Sequence, residues 1–489
     1  MAIRRKTWVV LLAIVASLVI ILAFVVPALV DLDRYRPQAI AYLEQRTGKP
    51  VSIGHLALTI LPVVSVRVDD FAMGNPPGFP SGNFVKARRI YAEVDAGALW
   101  NRQVVIKSLE LDDPVINLLS DARGRWNFEN PPGTTEEKPA PSAPATGGAP
   151  SFTMGVVSKF TMSGGKLTIA NLLPSGQASE PYFEVRGTSC TLAQFDFDAF
   201  TGSGAESAGQ GSFAADVLRF GAVETTKVKS KLRLASKQVF LDDLSLDADG
   251  GQATGSLAFN FAGPETHFVA NARLRGVDVA RMLQAFPSGR GKMTGTLEGT
   301  VKLAGETTHS EHPLEGLAAV GRLAVHNGKL PSLQLNHNLM SLARLTNLGP
   351  ASGDPSSFSS LAADFRLAQQ RIASNKITVA GNGVEAEGAG ALSLPGEGSL
   401  DYQGVAKVAA GQNPIAGIVA GLSGAAYADG KLSFPFRVTG TLGNPHFSMQ
   451  GQRSPGGLPA LTGATPPGQT PQNPADLINA IGGLFKKKQ

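Results

Sequence analysis

The stretch GKMTGTLEGTVKLAGE, residues 291–306, alternates almost perfectly between two kinds of side chain. Lys292, Thr294, Thr296, Glu298, Thr300 and Lys302 fall on one parity; Met293, Gly295, Leu297, Gly299, Val301 and Leu303 fall on the other. A period of two marks a strand with one wetted and one apolar face, and this chain repeats it many times. DDLSLDADGGQATGSLAF (242–259) superposes on NKITVAGNGVEAEGAGAL (375–392) at a constant offset, which sets Leu244 over Ile377, Leu246 over Val379 and Gly250 over Gly383. Gly165-Lys166-Leu167, Gly328-Lys329-Leu330 and Gly430-Lys431-Leu432 recur behind Gly, Asn or Asp. Such pairs signal hairpin turns, because both turn positions want positive φ. Units of this kind bury their apolar faces only with help from their neighbours. The pattern therefore predicts a mainly β fold: a long, repetitive antiparallel sheet with a few short helices. Glycines on the apolar parity read as room, since they permit bends and close approach to the backbone.

Composition agrees with strands and a thin, extended core. The chain has 489 residues and is 43% hydrophobic, yet only 7% aromatic, with 56 glycines. Charged residues make up 17%, against about 25% in ordinary globular domains. The net charge of +5 comes partly from Arg4-Arg5-Lys6 and Lys486-Lys487-Lys488 at the ends. No basic stripe interleaved with aromatics lies between them, so a nucleic-acid partner is not expected.

Residues 8–30, WVVLLAIVASLVIILAFVVPALV, are free of charge and long enough to cross a hydrocarbon core, which takes about 20 helical residues. The run is longer than the ~7 to 15 apolar residues of a secretory signal. It is expected to anchor the chain, with 1–30 as cytoplasmic stub and membrane span. The cations before it stay in the cytoplasm by the positive-inside rule, and the bulk of the chain is exported. A single cysteine, Cys190, excludes an intramolecular disulfide and reads as a small buried residue.

Residues 31–130 form an N-terminal region of one helix plus sheet. Pro37 suits a first helical turn, and Gly48 with Pro50 ends it. Asp113-Pro114 and Arg123-Gly124 mark turns. Residues 131–150 and 451–475, rich in Pro, Gly, Ser and Thr, read as disordered linkers. Between them, 151–450 is the repetitive sheet body, with helical candidates at 278–286 and 333–347. The tail 476–489 is amphipathic, with Leu477, Ile478, Ile481, Leu484 and Phe485 on one helical face before its lysines.

No catalytic motif is present. GRGKMTG places Met293 where a phosphate loop needs Ser or Thr, and neither H-E-x-x-H nor C-x-x-C occurs. His309 and His312 sit in a polar loop without a third ligand. No enzyme, metal site or cofactor is expected.

Several strings resemble the AsmA family of bacterial envelope proteins. RYRPQAIAYLEQRTGKPVSIGHL after the anchor is similar to that family's opening, and DPVINLLSDARGRWNF resembles its P-x-I-x-L … N-W element, with Trp126 before Asn127 instead of after it. LRGVDVARMLQAF, GKMTGTLEGTVKLAGE, the stretch ending in ITVAGNGVEAEGAGALSL, and FPFRVTGTLGNPHFSM resemble its C-terminal region. The resemblance implies an inner-membrane, single-pass periplasmic protein whose curved sheet forms a hydrophobic groove. It further implies a role in outer-membrane biogenesis and in moving phospholipid between membranes.

The expected function is to bind phospholipid or a related lipid and conduct it passively along the groove. The groove wall would comprise Leu244, Leu246, Leu257, Met293, Leu297, Val301, Leu303, Ile377, Val379, Leu392 and Leu394. The partners are membrane lipids, the inner membrane through 8–30, and, left open, outer-membrane or periplasmic proteins. The alternative is a non-catalytic envelope scaffold or assembly factor that affects outer-membrane protein insertion.

Overall fold

The structure, a computed structural model, describes residues 32–60, 63–100, 103–129, 151–152, 156–202, 204–262, 266–285, 291–307, 316–331, 354, 356–381, 383–396, 398–409, 425–441 and 444–449. The expected anchor 8–30, the linkers 131–150 and 451–475, the tail 476–489, the loop with His309 and His312 and the helical candidate 333–347 lie outside these residues. No helix among the described residues is long and apolar enough to cross a membrane. The chain divides into two units, Met1–Asp243 with Phe261–Pro264, and Leu244–Asn260 with Glu265–Gln489.

The first unit begins with helix α1 (Arg36–Thr47), which has Pro37 in its first turn and Gly48 at φ 64° as its C-cap. The Gly48 N–H donates to the Glu44 carbonyl at 2.8 Å, the stop that left-handed glycine supplies. The strands are β1 (Val51–Ser52), β2 (His55–Thr59), β3 (Ser65–Gly74), β4 (Asn83–Val94), β5 (Gln103–Val104), β6 (Ile106–Asp112) and β7 (Val115–Ser120). They continue with β8 (Ser151–Phe152), β9 (Val157–Asn171), β10 (Phe183–Phe195), β11 (Gly209–Phe220) and β12 (Val223–Ala235). Two one-turn helices, α2 (Ala96–Trp100) and α3 (Phe197–Thr201), sit between strands. Antiparallel pairing links β1 and β2 to β3, β3 to β4, β4 to β6 and β7, and β9 through β12 in sequence.

Three pairings among the described residues depart from the expected antiparallel pattern, and one of them, β5 with β8, forms a separate two-stranded sheet. Both β6 and β7 lie parallel to β9, Leu109 opposite Phe160 and Leu118 opposite Ile169. Asp113-Pro114 is therefore an interruption in one long strand instead of the expected turn. Across it the Asp113 N–H donates to the Ser163 carbonyl at 2.8 Å and the Lys166 N–H to the Pro114 carbonyl at 2.7 Å. Gly164, at φ 67°, makes the matching kink in β9. Arg123-Gly124 is a turn as expected, with the Gly124 N–H on the Asp121 carbonyl at 2.9 Å.

The two N-terminal strings of the family resemblance meet in space. Lys49 is only 3% exposed, and its Nζ donates to the Phe128 carbonyl at 3.1 Å. Burial pushes its pKa down, and the charge of Glu129 opposes that shift. The neighbouring Asn127 is fully buried at 0% exposure. Its Oδ1 accepts from the Leu119 N–H at 3.0 Å, and its Nδ2 donates to Asn75 Oδ1 at 2.8 Å and the Asn117 carbonyl at 2.7 Å. Every hydrogen-bonding atom of that amide is used, which is the condition for burying it without loss.

Strand β13 (Gln238–Ala248) contains the boundary between the units. The second unit continues with β14 (Gly251–Asn260), β15 (Thr266–Asp278), helix α4 (Val279–Gln284), β16 (Thr294–Thr307), β17 (Ala318–Lys329) and β18 (Ser357–Ala368). Then come β19 (Arg371–Gly381), β20 (Val384–Ser393), β21 (Ser399–Ala409), β22 (Ala426–Ala428), β23 (Lys431–Thr441) and β24 (Pro445–Met449). From β14 to β21 each strand pairs antiparallel with the next, β21 pairs with β23, and β23 carries β22 and β24.

Asp249 and Gly250, at φ 48° and 82°, and Asp429 and Gly430, at 52° and 71°, are left-handed turn pairs, the conformation that joins twisted strands without splaying them. Gly383, at φ 76°, takes the same role after β19, so the two superposed repeats are equivalent hairpins. The other two Gly-Lys-Leu signals are corrected. Gly165 lies inside β9 and Gly328 inside β17. Asn327, at φ 50°, coincides with a register shift between β16 and β17. Positive φ here makes a bulge, which bends a strand without ending it. Helix α4 is capped by Asp278, whose Oδ1 accepts from the N–H groups of Ala280 and Arg281 at 2.9 and 3.1 Å.

Two outcomes are expected. Asn127→Ala strands the Leu119 N–H and the groups on Asn75 and Asn117, and should lower stability by about 2–4 kcal/mol in urea unfolding; an unchanged midpoint would show that water replaces the amide. Glu184 accepts from Arg219 Nη2 at 2.9 Å and pairs with Lys166 Nζ at 3.1 Å, and these contacts hold its carboxyl below the ordinary 4.5. The stabilisation is present above pH 4.5 and is lost as pH falls through the lowered folded value. Glu184→Gln should therefore flatten the acid limb of a stability-against-pH curve, which melting at stepped pH measures.

Candidate functional site

In the second unit the register lines up the apolar parity of successive strands into rows. Leu257 of β14 faces Ala270, Ala270 faces Leu303, Leu303 faces Ala319, and Ala319 faces Leu367. The row continues through Ile372 to Leu392 and Leu400. A second row joins Leu297, Val325, Leu361, Val379 and Ala386. Between them Gly299 faces Leu323, Leu323 faces Ala363, and Ala363 faces Ile377. Val301 pairs with Ala272 and Gly321. The register thus brings Leu257, Leu303 and Leu392 into one row, and Leu297 and Val379 into another.

Leu244 and Leu246 belong to β13, and Leu394 follows β20, its N–H on the Gln370 carbonyl at 2.7 Å. Met293 precedes β16 and packs on the cluster of Val277, Val279, Leu297, Val325 and Phe358, together with Met282 and Leu283 of α4. Leu323, Leu361, Leu367, Ile372 and Leu400 share these rows and are missing from the sequence-derived set. The alternation in 318–329 and 357–368 was the available signal, but which strands are neighbours is fixed by pairing, not by spacing.

Burial separates two kinds of position on this face. Leu297 is 3% exposed, and Leu432 and Phe434 on β23 are 0% and 1% exposed; these are ordinary core. Leu244, Leu246, Leu257, Met293, Val301, Leu303, Ile377, Val379, Leu392 and Leu394 are half-buried. The opposite parity carries cross-strand ion pairs: Arg322 with Asp364 at 2.6 Å, Lys431 with Glu385 at 2.9 Å and Arg437 with Asp401 at 2.9 Å. The Arg322 hydrogen bond holds the Asp364 carboxyl below its usual range. The sheet of this unit is therefore apolar on one side and charge-paired on the other.

The glycines do not leave the expected room. At Gly295, φ 131°, an added methyl carbon would lie 2.6 Å from Val325 Cγ1, and at Gly299, φ 154°, it would run into the Arg322 carbonyl oxygen of the next strand. Positive φ turns that carbon into the plane of the sheet, against the neighbouring backbone. Glycine here allows close interstrand approach instead of space above the face.

No group of His, Cys, Asp and Glu among the described residues has the geometry to hold a metal ion. Cys190 is buried, and burial pushes its thiol up to about 12, which leaves it protonated and unreactive.

Compared with known proteins, residues 3–171 match the model of the AsmA family, and the match ends at the last residue of β9. The likeness read in residues 270–450 lies beyond that match. No curated protein and no solved structure matches the chain.

The close approach at Gly299 predicts that Gly299→Val destabilises the chain by about 1–3 kcal/mol through overpacking. Denaturant unfolding reads this directly, and an unchanged midpoint would restore the reading of glycine as space.

Proposed function

With residues 3–171 assigning the chain to the AsmA family, and so to work at the cell envelope, we propose that it binds phospholipid along the apolar face of its second unit and conducts it passively. The observation that carries this reading is the set of half-buried side chains, Leu257, Val301, Leu303, Ile377, Leu392 and Leu400, on the apolar rows crossing β14 to β21, backed by an ion-paired opposite face. Acyl chains laid along Leu257, Val301, Leu303, Ile377 and Leu392 would each gain about 0.8 kcal/mol per buried methylene. Headgroups would stay in water at the rim. Export through the anchor 8–30, with the N-terminus in the cytoplasm, belongs to the same proposal.

The test is gentle purification of the full chain, followed by mass spectrometry of bound lipid. Phospholipid is expected in stoichiometric amount, and Val301→Asp with Ile377→Asp should reduce it about tenfold or more, because a carboxylate on the row must be desolvated beside an acyl chain. Repeated absence of lipid, with both variants behaving as the parent, would transfer support to the scaffold reading, in which these rows meet protein.

A further inference from the structure

The charged side of β9 to β12, in the first unit, contains a feature that acyl binding does not use. Thr161 faces Thr191, Thr191 faces Ser212, and Ser212 faces Lys231. Beside this row Ser189 faces Ala214, and Ala214 faces Lys229. Residues two apart on a strand share a face, so Thr161 with Ser163, Ser189 with Thr191, Ser212 with Ala214 and Lys229 with Lys231 form one patch. Apart from the two lysines, nothing in that patch is larger than threonine.

The surface is correspondingly sunk into an open hollow of about 590 Å³, bordered by Asp243 as well. That volume lies within the ~300–1,000 Å³ usual for small-molecule sites. By alternation, Met162, Cys190 and Phe213 on its border present their side chains to the other face, and only backbone here.

The chemistry of the hollow is narrow. Thr191 and Ser212 share a hydroxyl–hydroxyl bond at 2.7 Å. The hydroxyl oxygen of Thr161 is buried and has no partner. Lys231 is held by Asp243 at 2.7 Å, whereas Lys229 is exposed and makes no ion pair among the described residues. An array of hydroxyls matches alcohol groups, each able to donate and accept. One uncompensated ammonium beside them matches a single anionic group, for which lysine acts as a point charge. The absence of an aromatic platform on this face disfavours a neutral sugar ring.

We propose that this hollow binds a phosphorylated polyol, the chemistry shared by free glycerol phosphate and the headgroup of phosphatidylglycerol. Lys229 takes the phosphate; the exposed Thr191 and Ser212 take the hydroxyls.

The test titrates the full chain, held in phosphatidylcholine nanodiscs, with glycerol 3-phosphate, glycerol, inorganic phosphate, and short-chain phosphatidylglycerol below its micelle concentration. Saturable binding of glycerol 3-phosphate or of the short-chain lipid is expected, about tenfold weaker in Lys229→Met and in Thr191→Val with Ser212→Ala. Both variants change exposed side chains, and an unaltered melting point will show that they fold. Binding of glycerol 3-phosphate assigns the free metabolite as a source, and binding of the lipid alone assigns the headgroup; either supports the site. Equal binding of inorganic phosphate would overturn the polyol assignment, and no saturation by any ligand, or indifference to both variants, would overturn the site. Acyl binding in the second unit is read separately by Val301→Asp and Ile377→Asp, so the two proposals fail independently.

Discussion

Backbone hydrogen bonding between long neighbouring strands is the constraint from which the other features follow. A strand of ten to fifteen residues, such as β3, β9 or β16, has a donor and an acceptor at nearly every position, and each must be paired if it is to leave water. Lateral pairing satisfies them all, but it fixes the side chains into two faces. With one cysteine and few aromatics, the chain has no disulfide and little bulky core to fall back on. Its cohesion rests on the ladder and on what each face does next. One face is settled by ion pairs. In the second unit the other is buried where Met282 and Leu283 of α4 pack on it and in the cluster around Leu432, Phe434 and Phe436, and is half-buried between.

That division explains what the sequence made legible. Alternation at 291–306 correctly announced a strand, and the superposition of 242–259 on 375–392 correctly announced equivalent hairpins, because both are local properties of a two-residue period. The helix at Pro37 to Gly48 was legible for the same reason, since its start and stop signals lie within its own segment. The errors share a different cause. Of the pairs Gly164-Gly165 and Asn327-Gly328 only the first residue has positive φ; a single left-handed residue suits a bulge, and the partner strand decides between bulge and turn. Asp113-Pro114 spells a reversal as readily as a strand interruption, since nothing in its letters reports that β9 runs alongside in the same direction. The glycines of the apolar parity misled because side-chain volume was inferred without the neighbouring backbone.

The N-terminal region shows the same limit from the polar side. Lys49 and the Trp126 to Glu129 segment are far apart in sequence, and their interest as a motif gives no hint that one amine caps the other's carbonyl. Asn127 is small and polar, so composition alone would leave it on the surface. Its burial follows from three partners on Leu119, Asn75 and Asn117, none adjacent in the chain. The residues matched to the family model thus supply part of the framework of the first unit, whereas the aliphatic rows of the proposed activity belong to the second.

The parallel alignment of β6 and β7 with β9 has a topological consequence for the low-complexity segment 131–150. Antiparallel neighbours can be joined by a tight reversal, but two strands running the same way oblige the chain to return to its starting level before pairing again. From Glu129 the path must travel back along about eleven strand positions to Val157, which at ~3.3 Å per residue is roughly 36 Å. Whatever its letters, the contour length of that connection has a floor. Cropping it below that limit would withdraw β9 from its partners before touching any residue of the sheet.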